Sequence, residues 1–102
     1  SNLVEKPSVL VVEKSQQLRG SLTDLLEGKG YVVHAVESRA KGFDVLDELG
    51  PDLLILDDPG QGRAYRLVWL KDADLPDVRV ELVDLDPSQF VEQLGSLVRA
   101  IA

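Results

Sequence analysis

The sequence predicts an α/β fold, a parallel sheet with helices on both faces. Two observations carry this. Four short apolar runs punctuate the chain: Val9–Val12, Tyr31–Val36, Leu53–Leu56 and Val78–Val83. Stretches with helical apolar spacing lie between them, and strands alternating with helices are the pattern of a parallel sheet covered on two sides. With 102 residues, a single domain is expected. Residues 3–102 are assigned to it, and Ser1 and Asn2 are read as a tag remnant.

The elements follow in order. Val9–Val12 (VLVV) is apolar throughout, so both of its faces should be covered and the strand should be central. Leu18, Leu22, Leu25 and Leu26 share one helical face, with Ser15 as candidate N-cap and Gly28 and Gly30 at the end. Tyr31–Val36 carries His34, the single histidine, and suits an edge. Ala40, Phe43, Val45, Leu46 and Leu49 mark a second helix between Ser38 and Gly50-Pro51. Leu53–Leu56 (LLIL) is again fully apolar and central. Tyr65 to Leu70 is read as a third helix, with Tyr65 and Trp69 on one face. Val78–Val83 alternates, placing Arg79 and Glu81 on one side, as an edge strand tolerates. Phe90, Leu94, Leu97, Val98 and Ile101 make a fourth helix, opened by Asp86-Pro87-Ser88. The expected strand order is 2-1-3-4, all parallel. Right-handed crossovers place the first helix on one face and the second and third on the other, and the fourth returns beside the first.

Composition narrows the function. A formal net charge of −7 argues against direct nucleic-acid binding, and Arg63, Arg66 and Lys71 are read as a solvated flank. The chain has no cysteine, which excludes disulfides and thiolate sites. No apolar run is long enough to span a membrane, and residues 1–6 show no signal-peptide pattern, so a cytoplasmic location is expected. Gly28-Lys29-Gly30 lacks the spacing of a phosphate loop. The serines have no nucleophile setting. No enzyme is expected.

Ligands of such sheets collect outside the carboxyl ends of the strands. The first strand ends in Glu13-Lys14 and the third in Asp57-Asp58, within "ILDDPGQG". These four residues are the candidate site. The stretch "VLVVEKSQQLRGSLTDLLEGKGYVVHAVESRAKGFDVLDELGPDLLILD" resembles the first half of a response-regulator receiver domain. "LKDADLPDVRV" resembles the end of that family's third helix and its fourth strand, and "DLDPSQFVEQLGSLVRAIA" its last loop and helix. The resemblance implies a flavodoxin-like three-layer fold. It also implies a role in two-component signal transduction, with Asp57 in the place of the phosphoacceptor.

The departures define the expectation. Receivers hold Mg²⁺ with an acidic pair after the first strand and the acceptor Asp, because this hard cation takes oxygen ligands. Here the pair is Glu13-Lys14. Lys14 would repel the cation and is expected to pair with Asp57. At an effective dielectric of about 20, charges about 4 Å apart attract by roughly 4 kcal/mol before desolvation. No Ser or Thr follows Val80-Glu81-Leu82-Val83, Val83 stands where the family has Lys, and Asp58 alone separates Asp57 from Pro59. The run VRVELV reads as a fourth strand from its left flank and a fifth from its right, so one helix–strand unit is expected to be missing.

Three functions are weighed. The least supported, a small enzyme or nucleotide binder on a similar sheet, lacks a Gly-rich phosphate loop and any acid/base pair beyond Glu13 and Asp57. Two remain open. The first is a phosphorylation-independent pseudo-receiver without a cofactor, acting through protein contacts. Its partner surfaces would be Tyr65 and Trp69 or the edge with Arg79 and Glu81, where a second copy could pair along Val78–Val83. The second is a working phosphoacceptor, with Glu13, Asp57 and Asp58 holding Mg²⁺.

Overall fold

The computed structural model of the protein describes residues 6–58, 64–71, 74, 77–81, 89 and 92. The elements are β1 (Ser8–Val12), α1 (Gln16–Gly28), β2 (Val32–Val36), α2 (Arg39–Leu49), β3 (Leu53–Asp57), β4 (Ala64–Trp69) and β5 (Val78–Glu81). They form an α/β structure with one five-stranded sheet, ordered β2-β1-β3-β4-β5.

The first half forms as its sequence predicts. β1 pairs in parallel with both β2 and β3, so the two all-apolar runs are interior strands. The Ser15 hydroxyl accepts the Leu18 N–H at 3.3 Å and caps α1. Ser38 does the same for α2 through the Lys41 N–H at 3.2 Å. α2 stops at Gly50, whose φ of 53° lies in the left-handed region that glycine enters without steric cost.

β1 divides two layers by simple alternation. Val9 and Val11 face α1 and join Leu22, Leu26, Leu53, Ile55 and Leu67 in the main core. Leu10 and Val12 face α2. There Gly42 allows a close approach, since a Cβ at that position would lie 3.1 Å from Val12 Cγ2. α1 and α2 thus cover opposite faces of the sheet.

The second half differs from expectation. Tyr65 to Leu70 is not a helix; residues 64–69 form β4, which runs antiparallel to β3. The sheet is therefore mixed and not all parallel. The order 2-1-3-4 is also corrected: β4 lies between β3 and the VRVE strand, which pairs antiparallel with β4 as β5. The sheet holds five strands instead of four, and β3 connects to β4 without a crossover helix. The physical reason lies in "AYRLVW". Tyr65, Leu67 and Trp69 alternate with Arg66 and Val68, and the odd residues fall on the α1 side, where Tyr65 and Leu67 are buried and Trp69 packs against the core. Burying that apolar side outweighs any helical preference.

Among the described residues, β2 and β5 are the sheet edges, and His34 on β2 is exposed. Two helices, α1 and α2, are complete. The predicted fourth helix lies outside the described residues except Gln89 and Glu92, which are helical and exposed. The Gly60-Gln61-Gly62 loop also lies outside them. Among the described residues no helix is long and apolar enough to cross a membrane.

Candidate functional site

The carboxyl ends of β1 and β3 lie side by side, and a cleft of about 430 Å³ opens there. Glu13, Lys14, Ser15, Leu18, Asp57 and Tyr65 line it. Three of the four predicted residues are thus brought together. The fourth, Asp58, is not.

Strand alternation explains the separation. Asp57 is paired in register with Tyr65 and shares the α1 side with Ile55. The neighbouring Asp58 goes to the opposite side. Its Oδ2 accepts from Arg79 Nε at 3.2 Å and from Arg66 Nη2 at 3.4 Å. Arg66 and Arg79 are cross-strand partners, and a carboxylate between them offsets the like-charge repulsion of such a pair. Asp58 thus pairs with two arginines and does not line the cleft beside Asp57. Arg79, a predicted partner contact, is half-buried in this cluster.

Glu13 is only 3% exposed although it carries a carboxylate. A buried carboxylate must be hydrogen-bonded, and both oxygens are. Oε2 accepts the Ser15 backbone N–H at 2.7 Å, and Oε1 accepts the Tyr65 hydroxyl. Arg19 holds the same turn from outside by donating to the Glu13 carbonyl at 2.8 Å. Tyr65 reaches Glu13 because β4 runs antiparallel to β3, so that its first residues, not its last, arrive at the cleft. Tyr65 is thus buried as a support of this site, and Trp69 is half-buried on the core.

Asp57 is half-buried at the floor of the cleft. Burial raises its pKa above the ordinary value, and the neighbouring Glu13 raises it further. The Arg39 guanidinium opposes this, and Lys14 opposes it least. The expected Lys14–Asp57 ion pair is absent among the described residues; Lys14 stands exposed at the rim. Arg39, the first residue of α2, instead donates to the Asp57 carbonyl at 3.2 Å.

The raised pKa has a stability consequence. The folded chain holds the Asp57 proton more tightly than the unfolded chain, so stability falls as pH rises from the unfolded pKa through the folded one. Asp57→Asn is expected to remove that decline and to be the more stable protein at neutral pH. Urea unfolding across the acid range, on both proteins, checks this. An unchanged slope would show that Asp57 titrates as an exposed carboxyl.

Arg19, Arg39 and the Tyr65–Glu13 bond were not predicted as parts of the site. The hydroxyl bond spans 52 positions of sequence, and no local pattern announces it. No known protein family and no curated protein sequence matches this chain.

Proposed function

We propose that the protein is a receiver-like signalling domain whose acidic pocket has become structural, and that it works through protein contacts, independently of phosphorylation. The observation that supports this most is the engagement of Glu13. Its two oxygens already accept from Ser15 and Tyr65, Asp58 is turned to two arginines on the other face, and Lys14 stands at the rim. A hard cation that demands several oxygen ligands does not fit this donor set. The cleft keeps the acceptor-equivalent Asp57 without the partners that phosphoryl chemistry requires.

The flavodoxin-like and receiver assignments rest on the sequence resemblance together with the parallel β2-β1-β3 arrangement and its paired helices. The hairpin β3–β4 departs from that plan. It removes the crossover on whose far side a receiver would report its state. The β5 edge is a candidate for pairing with a second copy, since its outer backbone groups have no strand partner among the described residues.

The test is an amide NMR titration with Mg²⁺, followed by beryllofluoride as a phosphoryl mimic. No saturable shift is expected around Glu13, Asp57 and Lys14. Saturable shifts there, lost in Asp57→Asn, would establish the working phosphoacceptor instead.

A further inference from the structure

The face opposite the acidic cleft carries a different combination of groups. α2 packs on β1 and β2, so on this side β3 and β4 extend beyond it. A shallow apolar recess of about 40 Å³ opens between α2 and β3, lined by Phe43, Leu46, Leu54 and Leu56, with Arg39 at its rim. Phe43 is 71% exposed, far more than a core aromatic tolerates. Leu54, Leu56 and Val68 on the sheet beside it are half-buried.

One end of this recess is basic. Leu56, Arg66 and Arg79 form a cross-strand row, and Arg39 opens α2 at the same end, where the helix dipole adds positive potential. Arg66 and Arg79 thus share a single carboxylate, Asp58, and Arg39 donates to the adjacent Asp57 carbonyl, in a chain whose net charge is −7. That local sign is opposite to the rest of the molecule. Two copies meeting through this same face would bring their arginines together, so the charge disfavours that contact and favours an acidic partner. β3 and β4 are interior strands with both edges paired, so a ligand here has no backbone to pair with and must bind through side chains.

We propose that this face docks an amphipathic helix of a partner protein. Its apolar side chains seat against Phe43, Leu46 and Leu56, and its acidic end lies over Arg39 and Arg66. Helix-in-groove recognition uses such apolar anchors at one helical face, and exposed aromatic and arginine side chains are the residue types that concentrate binding energy. This deepens the protein-contact reading of the previous section and rests on it. The two fail separately, because the Mg²⁺ and beryllofluoride titration is read at Glu13, Lys14 and Asp57, none of which lines this recess.

The experiment uses a fluorescein-labelled synthetic helix of Leu, Ala and Glu, and its counterpart with Lys in place of Glu. Saturable anisotropy is expected with the Glu helix, with amide shifts at Phe43, Leu46, Leu56 and Arg66. The Lys helix should bind about tenfold more weakly or not at all. Phe43→Ala and Arg39→Glu, both at exposed positions, should each weaken the Glu helix about tenfold while the circular dichroism stays unchanged. Equal binding of the two helices, or indifference to both substitutions, overturns the proposal. Self-association in sedimentation that Phe43→Ala abolishes would give the face to a second copy, and overturns it as well.

Discussion

Leu67→Ala is expected to destabilise the fold by about 2–5 kcal/mol, the range for truncating a fully buried leucine. Leu67 has no exposed surface, and it sits in register between Ile55 on β3 and Val78 on β5. The prediction discriminates because the alternative is specific. In a helix over the same residues, Leu67 would lie opposite the face shared by Tyr65 and Trp69 and would point to solvent. Its truncation would then cost about 0.5 kcal/mol or less. Urea denaturation with an unchanged m-value separates the two. A small loss would mean that β4 is not seated in the sheet, and the Tyr65–Glu13 contact would lose its basis.

Tyr65→Phe is expected to cost about 1–3 kcal/mol although it removes a single oxygen atom. The ring and its packing remain, but Glu13, almost wholly buried, loses the partner of Oε1. For a domain of this size each kcal/mol lowers the melting temperature by roughly 4–8 °C. A double-mutant cycle with Glu13→Ala should be strongly non-additive, since either change breaks the same bond. Additive losses would show that the hydroxyl and the carboxylate do not meet in solution.

These two residues also mark where the sequence stops being legible. The three parallel strands and both helices could be read because each carries a local signal of sufficient length: VLVV and LLIL bare of charge, leucines at helical spacing, serine and glycine at the helix ends. "AYRLVW" has six residues and supports two periods at once. Positions 65 and 69 share a face whether the chain is helix or strand, and only Arg66 and Leu67 distinguish the cases. A likeness to a family with a helix at this place tips the reading the wrong way. The pocket was half legible for a related reason. Strand ends place Glu13 and Asp57 together, but alternation sends Asp57 and Asp58 to opposite faces. The Tyr65 hydroxyl arrives only because β4 runs backward, which follows from pairing and not from composition. Lys14 shows the limit of counting charges: it lines the same cleft, but Arg39, entering from another element, pulls harder on Asp57.

The reversal of direction after β3 also bears on the order in which the chain assembles. Contacts between β3 and β4, and between β4 and β5, join neighbours in sequence, so bringing them together costs little loop-closure entropy. β1 is different. It must lie between β2 and β3, and the second partner arrives only after two helices and a strand have been placed. A helix in place of β4 would have made every pairing in the sheet a long-range one. With the hairpin, the carboxyl-terminal strands form a locally connected unit, while the central strand carries the non-local part of the topology that sets the folding rate. The same short connection leaves the described strands with fewer distant partners to find.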